Sequence, residues 1–427
     1  MSTQGQPMTD RDEDRGQPRP LAVEARHDFT AKLRQPALLP GVLDYVAWQR
    51  ASRAAAKAGR PAPAFPDMAP LSINLDLTTA CNYACDHCID WDILNSPIKY
   101  DHQELLASLG HMADRGLRSV ILIGGGEPTI YPGFVEVVRF LKQRGLQVSV
   151  VTNGSRNDRI LEIMPLLEEG DWVRLSLDSG TDATFEAMHK PKKALTLTEI
   201  CASIPRLREA NPAPLIGFSY IIVWRGAERE EGVTIHENID EIVAATELAR
   251  SSRFSYISLK PFLTRRPGGA EVMDPEVAED FDRTVARIRT EVDKAKLLAT
   301  PDFKVVESIN LKLLEQGDWR AFTDQPRTCH MQALRQVLSP LGLYNCPAHR
   351  GVAKATIGDA RAYADDEGLA GTRAATARIL DGFDASRECR EVTCLYHTVN
   401  WYLEDVIEGR RGLGPDDAVE DRNDFFL

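Results

Sequence analysis

The chain has 427 residues, of which 43% are hydrophobic and 27% are charged, and its formal net charge is −12. This composition is typical of a globular protein, and the length allows one large α/β domain with a smaller appendage. An acidic chain is not expected to bind nucleic acid or an anionic membrane nonspecifically, because both need a basic face on the protein. The sequence has no run of about eighteen consecutive apolar residues, which a membrane-spanning helix would need. We therefore expect a cytoplasmic protein.

The first seventy residues are expected to precede the main fold. Residues 1–20 are polar, charged and rich in Gln, Asp, Arg and Pro, which predicts a disordered tail without the apolar core of a signal peptide. Residues 21–70 are interpreted as a helical extension. An Ala-rich run over residues 45–57 is followed by the proline-rich residues 60–66, which end any helix. This extension has no alternating strand pattern, so a winged-helix domain that binds leader peptides is not expected.

Six short apolar runs alternate with amphipathic stretches from residue 71 onwards. The predicted strands are Ser72–Thr78, Ser119–Ile123, Val148–Thr152, Trp172–Asp178, Gly217–Val223 and Tyr256–Lys260. The predicted helices between them are Gln103–Arg115, Gly133–Arg144, Asp158–Glu168, Thr198–Glu209 and Ile239–Ala249. This alternation predicts a parallel sheet wound by right-handed crossovers. Periodicity alone does not separate a flat doubly wound sheet from a partial barrel.

The pattern changes after residue 260. A long charged amphipathic helix is predicted over Asp274–Lys294, and a β-hairpin is predicted over Gln336–Cys346 with its turn at Pro340-Leu-Gly342. The expected units are, in order, a sheet-containing domain over residues 71–300, a compact cysteine-containing domain over residues 301–410 and an acidic tail over residues 411–427.

Three of the eight cysteines follow the first predicted strand directly, at Cys81, Cys85 and Cys88, in the spacing C-x3-C-x2-C. Three thiolates on one loop can hold three irons of a four-iron cluster, which leaves the fourth iron open to another molecule. The alternative is a zinc site with His87 as the fourth ligand. Zinc prefers a closed tetrahedron, which the adjacency of His87 and Cys88 would strain.

Four further cysteines lie in the last hundred residues, at Cys329, Cys346, Cys389 and Cys394. Four thiolates can saturate an iron–sulfur cluster, which then serves as an electron relay or a structural cross-link rather than as a substrate site. A structural zinc site and four unrelated cysteines are the alternatives. Cys201 lies among apolar neighbours in a predicted amphipathic helix, and we expect a buried core thiol there.

A glycine run follows the second predicted strand, in the sequence Gly124-Gly125-Gly126-Glu127-Pro128. Glycines allow a chain to pass close to a ligand where a Cβ would clash. The run does not suit a phosphate-binding loop, because Glu127 and Pro128 stand where such a loop needs Lys and Ser or Thr.

The cysteine spacing and the glycine run together resemble the radical S-adenosylmethionine (SAM) superfamily over residues 71–260. The resemblance implies a partial (β/α)6 TIM-like barrel with a small C-terminal iron–sulfur domain. It also implies a 4Fe–4S cluster held by Cys81, Cys85 and Cys88, with SAM bound at the open iron.

The same resemblance assigns SAM-binding roles to further positions. In the family the glycine run and its glutamate meet the SAM amino group, polar strand ends reach the ribose and carboxylate, and the position beside the third cysteine lies near the adenine. The matching residues here are His87, Gly124, Gly125, Gly126, Glu127, Asn153, Ser176 and Asp178. The last three also suit turns or helix caps, which Asn, Ser and Asp favour in any protein.

The sequence from Cys329 to Pro347 resembles the opening hairpin of the auxiliary-cluster extensions known as SPASM and twitch domains. Four cysteines fit the shorter twitch type, which implies one auxiliary 4Fe–4S cluster held by Cys329, Cys346, Cys389 and Cys394. The step from Cys389 to Cys394 is slightly wider than the spacing usual in these domains.

Lys260 ends the sixth predicted strand and is the candidate catalytic residue. A lysine at this position can act as a base once desolvated, or can orient an anionic substrate. The alternative is an exposed lysine at the start of a loop, since most lysines stay in water.

The expected activity is that of a radical SAM oxidoreductase. The resemblance implies a 5′-deoxyadenosyl radical that takes hydrogen from a small polar molecule, such as a sugar or an aminocyclitol, and leads to alcohol oxidation or epimerisation. The expected partners are this small-molecule substrate and an external reductant such as flavodoxin or ferredoxin. A ribosomal-peptide-modifying enzyme is the alternative within the class, and a noncatalytic iron–sulfur electron-transfer protein is the alternative outside it. The glycine run argues against the latter, because an electron carrier has no need to bind SAM.

Overall fold

The structure is a computed structural model, and it describes residues 28–230, 232–266, 269–273 and 280–427. The predicted disordered tail over residues 1–20, the start of the predicted extension and the start of the helix predicted after residue 274 lie outside the described residues. Within the described ranges, no helix has the length and apolarity that a membrane crossing requires.

Twelve strands lie in the described part of the chain. They are β1 (Ser72–Leu75), β2 (Ser119–Leu122), β3 (Gln147–Thr152), β4 (Trp172–Ser176), β5 (Leu215–Ile222), β6 (Tyr256–Pro261), β7 (Thr264–Arg265), β8 (Glu271–Val272), β9 (Lys304–Glu307), β10 (Arg335–Ser339), β11 (Gly342–Tyr344) and β12 (Thr356–Gly358). Ten of them form one sheet in the order β12-β11-β10-β1-β2-β3-β4-β5-β6-β9, and β7 and β8 form a separate hairpin. The eight neighbouring strands from β10 to β9 in this order are all parallel.

Fifteen α-helices accompany these strands within the described ranges. They are α1 (Phe29–Leu33), α2 (Leu39–Lys57), α3 (His102–Asp114), α4 (Phe134–Gln143), α5 (Asn157–Ile163), α6 (Asp182–His189), α7 (Leu197–Ala202), α8 (Ile204–Ala210), α9 (Ile242–Ser251), α10 (Phe281–Lys296), α11 (Ile309–Gln316), α12 (Met331–Leu334), α13 (Asp366–Gly382), α14 (Ala385–Glu388) and α15 (His397–Ile407). The single helix predicted over Thr198–Glu209 is divided into α7 and α8, with Pro205 in the first turn of α8, where its missing N–H costs least.

The predicted α/β fold with a parallel, barrel-like sheet is confirmed, and the sheet is wider than predicted. The six predicted strands are β1 to β6, and β9 extends the sheet beyond β6. The predicted hairpin is present as β10 and β11, with Ser339 opposite Gly342. Its first strand pairs in parallel with β1, with Ser72 opposite Arg335. The C-terminal cysteine domain therefore continues the barrel sheet and covers an edge that would otherwise expose unpaired backbone groups.

The two faces of the parallel strands differ in polarity. The outer face carries fully buried apolar residues such as Leu75 and Val150, and helices such as α4 and α9 pack against these strands. The inner face combines polar residues such as Asn74 and Ser258 with apolar ones such as Ile121, and together they line a cavity of about 460 Å³ that we call the lumen. Parallel strands covered on both sides are usually apolar on both faces. A mainly apolar cavity that carries a few polar groups is typical of a ligand-binding interior.

Residues 423–427 lie across the amino ends of the strands. The Leu427 N–H donates to Ser72 Oγ at 3.4 Å, and the Phe426 ring meets the Trp172 ring edge-on with centroids 5.4 Å apart. Phe426 and Leu427 are buried and line the lumen. The segment predicted as an acidic tail thus includes the floor of the lumen, which leaves the carboxyl ends of the strands as the side facing a ligand.

Helix α2 of the N-terminal extension packs against α15. The buried His330 ring joins them, with Nδ1 2.7 Å from the Tyr45 hydroxyl and Nε2 2.9 Å from Glu404 Oε2. Arg53 pairs with the same Glu404 carboxylate at 2.8 Å. Because His330 adjoins Cys329, this network fixes the loop that carries the first of the C-terminal cysteines.

A buried ion triad ties the C-terminal cysteine domain to the barrel. Arg350, only 4% exposed, places Nη1 2.7 Å from both carboxylate oxygens of Asp90. Its Nε lies 3.0 Å from Asp76 Oδ2, an ion pair in which the N–H does not point at the oxygen. Asp76 follows β1, Asp90 follows Cys88 by two residues and Arg350 follows Cys346 by four. The triad therefore connects the neighbourhoods of the two cysteine groups.

We expect Arg350→Met to lower the free energy of unfolding by about 3–5 kcal/mol, because it leaves two buried carboxylates without their cation. Burial raises the pKa of Asp76 to about 7 although Arg350 acts in the opposite direction. A carboxyl whose pKa is raised by folding stabilises the fold at low pH, and this contribution is lost as the pH rises through about 7. The loss in the variant should therefore be smaller at about pH 5 than at about pH 8.

Chemical denaturation at both pH values measures this loss. Arg253→Met is the matched control, because Arg253 pairs with Glu209 between exposed side chains, where an ion pair contributes about 0–1 kcal/mol. Equal losses in the two variants would contradict the role given to the triad.

Candidate functional site

The loop of residues 81–88 follows β1 and carries the three half-buried cysteines of the first group. The end of helix α6 anchors this loop. The Ala84 N–H donates to the His189 carbonyl at 3.2 Å, and the Asp86 N–H donates to the Met188 carbonyl at 3.0 Å. Helix α6 was absent from the predicted helices, so its part in holding the cysteine loop is a finding of the structure.

The three thiols of the loop do not form one compact ligand set among the described residues. Among the described residues, the one set of three His, Cys, Asp or Glu ligand atoms within 4.8 Å of one another belongs to Cys85, His87 and His189. The sulfurs of Cys81, Cys85 and Cys88 therefore do not all lie within 4.8 Å of one another. Zinc held by about 2.3 Å bonds would bring thiolate sulfurs to about 3.8 Å from one another. A wider arrangement suits an iron–sulfur cluster, in which each thiolate binds a different iron.

The His87 and His189 rings are held by hydrogen bonds within the protein. His189 Nδ1 lies 3.3 Å from Cys85 Sγ, and its Nε2 lies 3.0 Å from the Leu177 carbonyl oxygen. His87 Nε2 lies 3.0 Å from Asp178 Oδ2. Burial and the nearby His87 lower the pKa of His189 to about 4, so this ring is neutral at pH 7. These contacts account for the closeness of the three ligand atoms.

Asp178 uses both of its carboxylate oxygens. Oδ2 faces His87, and Oδ1 accepts the Ile221 N–H at 2.7 Å. Burial acts to raise the pKa of Asp178, but the hydrogen bond and charge of His87 outweigh it, so the pKa lies below its ordinary value. The structure thus joins His87 and Asp178, two of the residues predicted to contact SAM, into one pair. Their contact with SAM itself stays a prediction.

The glycine run packs directly on the cysteine loop. The Glu127 N–H donates to the Ala80 carbonyl at 2.9 Å, and a Cβ at Gly126 would overlap the same carbonyl. Gly124 and Gly125 have φ values of +77° and +62°, a region that L side chains rarely adopt. Because Ala80 precedes the first cysteine, the run lies where a molecule bound at that loop would meet it.

Glu127 braces the ends of β2 and β3 against each other. It is buried, and its Oε1 accepts from the hydroxyls of Thr129 and Thr152, both at 2.6 Å. Its Oε2 accepts the Asn153 N–H at 2.7 Å, and the Asn153 side chain donates to Asn82 Oδ1 at 2.9 Å. Both oxygens of Glu127 are therefore engaged within the protein. The structure gives Glu127 a positioning role, and its predicted contact with SAM stays a prediction, as does that of Asn153.

Lys260 lies on the wall of the lumen rather than on an exposed loop. Its Nζ donates to the Ser219 hydroxyl at 3.4 Å. Burial and the charge of Arg174 lower the pKa of Lys260 well below its usual value. Ser176, predicted as a SAM contact, ends β4 opposite Ser219.

Two arginines, Arg174 of β4 and Arg335 of β10, line the lumen. Neither was among the site residues predicted from the sequence. The alternating sequence Trp-Val-Arg-Leu-Ser of β4 could have predicted the side that Arg174 faces, because residues two positions apart in a strand face the same side of the sheet. Arg335 donates to Asn74 Oδ1 at 2.6 Å. Its position depends on the pairing of β10 with β1, which no local pattern predicts.

The structure brings the four C-terminal cysteines together. Cys329, Cys346, Cys389 and Cys394 line one cavity of about 40 Å³, and Asn400 Nδ2 donates to Cys329 Sγ at 3.4 Å. Their convergence argues against four unrelated cysteines. Among the described ligand atoms, no three of these sulfurs lie within 4.8 Å of one another.

Arg335 lines both this cysteine cavity and the lumen, so the two cavities share a wall. Leu395, the neighbour of Cys394, also lines the lumen. Burial lowers the pKa of Arg335 to about 10, which leaves the guanidinium charged at pH 7.

Residues 75–250 match the sequence profile of the Radical SAM superfamily. Over 226 residues the chain is 26% identical to an S-adenosylmethionine-dependent nucleotide dehydratase from Selenomonas ruminantium, across 50% of this chain and 74% of that protein. It is 31% identical to mycofactocin maturase MftC from Mycobacterium ulcerans over 122 residues, across 28% of this chain and 30% of that protein. The solved structure of Streptococcus suis SuiB bound to S-adenosylmethionine has the same fold, with a TM-score of 0.50 and 13% identity, across 71% of this chain and 68% of that one.

The profile match begins at the end of β1 and ends in α9, so it contains the first cysteine group, the glycine run and the strand-end residues. The cofactors predicted from the sequence, iron–sulfur clusters and SAM, are those that this superfamily and its extensions use. Residues 75–250 therefore form a radical SAM domain.

Proposed function

We propose that this chain is a radical SAM oxidoreductase that removes hydrogen from a small polar molecule bound in the lumen. The observation that carries the proposal is the position of the 81–88 loop next to a lumen that has a closed floor and polar side chains on its wall. When bound, a 4Fe–4S cluster with SAM supplies a 5′-deoxyadenosyl radical that can take hydrogen from an unactivated C–H bond. The residues of the chain hold these groups, orient the substrate and exclude water.

The roles of the binding residues follow from their places. In this proposal Cys81, Cys85 and Cys88 hold the cluster and leave one iron open. The glycine run, braced by Glu127, presents its backbone to SAM. Asn153, Ser176 and the His87–Asp178 pair lie near the carboxyl ends of neighbouring strands, the end at which barrels of this kind carry their sites.

We infer that the four C-terminal cysteines hold a second 4Fe–4S cluster. Their convergence on one cavity that shares a wall with the lumen supports this inference. A substrate carbon that has lost a hydrogen atom beside a hydroxyl can lose the hydroxyl proton and pass one electron through that wall. The net result is a two-electron oxidation of an alcohol to a ketone, and epimerisation is the redox-neutral alternative.

The size of the lumen supports a small-molecule substrate, because about 460 Å³ lies within the range typical of small-molecule sites. The relationship to a nucleotide dehydratase points the same way. A second candidate is a peptide-modifying enzyme. A vestibule of about 880 Å³ lined by Trp91 and Trp224 adjoins the lumen at Phe262 and would hold a longer substrate.

A noncatalytic electron-transfer protein is the least supported alternative, because it does not explain a lumen of ligand size beside the cysteine loop. Lys260 remains the candidate catalytic residue on the lumen wall. The reaction consumes one electron for each SAM cleaved, for which we propose an external reductant of the flavodoxin or ferredoxin type.

Cys85→Ala is expected to abolish 5′-deoxyadenosine formation from SAM in anaerobically reconstituted, dithionite-reduced protein, because the loop loses one of its three thiolates. Liquid chromatography of the products measures this. Cys201→Ala is the matched control, since Cys201 is a buried thiol of the barrel core and its variant should retain the reaction. A wild-type protein that forms no 5′-deoxyadenosine would refute the proposed function.

The double variant Cys329→Ala/Cys346→Ala is expected to lose about half of its iron and acid-labile sulfide, because the chain then holds one four-iron cluster instead of two. It should still cleave SAM without substrate, since the first cysteine group is intact. Elemental analysis alongside Cys201→Ala provides the comparison. Unchanged iron, or stoichiometric zinc in the wild type, would contradict the second cluster.

A further inference from the structure

We propose that the side chains of His349 and Tyr396 donate hydrogen bonds to sulfur atoms of the cluster held by the four C-terminal cysteines, and so raise its reduction potential. The inference rests on the proposed function, because it concerns the second cluster inferred there. It gives these two side chains a role that neither the cysteine spacing nor the hairpin motif predicts.

Both side chains carry buried polar atoms that lack a hydrogen-bond partner. His349 is 1% exposed, and neither of its ring nitrogens has a partner among the described residues. Tyr396 is 4% exposed, and its hydroxyl is likewise without a partner in the described part of the chain. A buried donor left unpaired costs about 1–3 kcal/mol. Native proteins therefore seldom retain one unless a bound group or a water molecule satisfies it.

His349 and Tyr396 both line the small cavity on which the four cysteines converge. His349 follows Cys346 by three residues, and Tyr396 follows Cys394 by two. The segments that carry two of the thiols therefore also carry the two unpaired side chains. Because their polar atoms are closed to solvent, a group that fills this cavity is the partner that can satisfy both.

The unpaired atoms around this cavity include more donors than acceptors. Besides the imidazole of His349 and the hydroxyl of Tyr396, they are Arg335 Nε, which is a third donor, and Asn345 Oδ1, which is an acceptor. A wall of this kind suits a group whose outer atoms accept hydrogen bonds, as the sulfides and thiolates of an iron–sulfur cluster do.

Packing holds both rings in place. His349 meets the Phe383 ring edge-on, with centroids 5.2 Å apart. The Tyr396 ring lies between Phe29, at a centroid distance of 4.9 Å, and the Arg335 guanidinium, 5.6 Å from the ring centroid. A ring that is already ordered loses little conformational entropy when its donor forms a hydrogen bond.

One donor is already directed at a thiol of this set. Asn400 Oδ1 accepts the backbone N–H groups of His330 at 2.9 Å and Met331 at 3.2 Å. These bonds orient the amide so that its Nδ2 donates to Cys329 Sγ at 3.4 Å. The two proposed donors extend the same kind of contact to further sulfur atoms.

Hydrogen bonds to the sulfurs of an iron–sulfur cluster raise its reduction potential, because they stabilise the more negative, reduced state. Four thiolates saturate the irons, so the sulfur atoms are the acceptors that remain. An imidazole carries at least one N–H whether it is neutral or charged, so the contribution of His349 does not depend on its titration. A raised potential suits a cluster that takes one electron from a substrate radical.

A potentiometric titration of the anaerobically reconstituted enzyme, followed by electron paramagnetic resonance with a europium(II) chelate as reductant, tests the inference. The signal of the second cluster is the one that Cys329→Ala/Cys346→Ala lacks. His349→Phe and Tyr396→Phe keep an aromatic ring but remove the donor. Each should lower the equilibrium constant for reduction of the second cluster by about three- to tenfold. A tenfold change is about 59 mV for a one-electron couple.

Three comparisons separate the loss of a donor from a general disturbance of the fold. His349→Gln retains an amide N–H and should retain most of the wild-type potential. Tyr100→Phe removes another buried, unpaired hydroxyl that does not line the cysteine cavity, and it should leave the potential unchanged. The potential of the SAM-binding cluster in each variant is the internal reference and should stay constant.

Equal potentials in the wild type, His349→Phe and Tyr396→Phe would overturn the inference. So would a wild-type second cluster that the europium(II) chelate does not reduce, since the donors are expected to favour reduction. Loss of about half of the iron in His349→Phe, with an unchanged potential in Tyr396→Phe, would instead identify His349 as an iron ligand and would also overturn it.

Iron content and 5′-deoxyadenosine formation in the same preparations separate this inference from the proposed function. If the wild type holds two clusters and cleaves SAM but the variants show no shift, the donors are wrong and the proposed function stands. If it holds one cluster, the second cluster and its donors are both wrong. If it cleaves no SAM, the proposed function itself fails.

Discussion

Parallel pairing of β10 with β1 is the constraint on which the rest of the structure depends. A parallel pair cannot be closed by a tight turn, so the chain leaves the sheet after β9 and returns through α11 and α12 before β10 begins. Cys329 lies on that return, and the hairpin after β10 leads to Cys346. The neighbouring strand, β1, leads to Cys81. One backbone pairing therefore places the second cysteine group beside the lumen and the first at the end of the adjacent strand, and the Arg350 triad fixes this arrangement with buried charge.

The polarity of the lumen is the second determinant, and it is costly to maintain. Apolar residues on the outer face supply packing that stabilises the barrel, while the inner face places polar side chains such as Asn74 and Ser258 among apolar ones such as Ile121 and Ile221. A mixed inner face of this kind contributes less hydrophobic stabilisation than a wholly apolar one. Its retention, together with a floor made by Phe426 and Leu427, is understandable if the interior binds a polar molecule away from water.

The sequence predicted the local parts of this structure well, and the failures share one cause. The strands β1 to β6 and their helices follow from alternating patterns within about twenty residues, and the cysteine spacing and glycine run are contiguous motifs. The pairing of β10 with β1 and the triad of Arg350 with Asp76 join residues more than 250 positions apart, and no local pattern specifies them. Glu127 illustrates a subtler limit. Its motif was visible, but its bonds to Thr152 and Asn153 depend on how β2 and β3 lie in space.

Arg335 connects the fold to the proposed electron path. Its guanidinium is buried and remains charged, and it borders both the lumen and the cavity of the four C-terminal cysteines. A fixed positive charge in a poorly hydrated wall favours the more negative state of its neighbours, because charges interact strongly at low dielectric. In the proposed holoenzyme, Arg335 would therefore favour the reduced form of a group held by the cysteines, which is the form reached after an electron leaves the substrate.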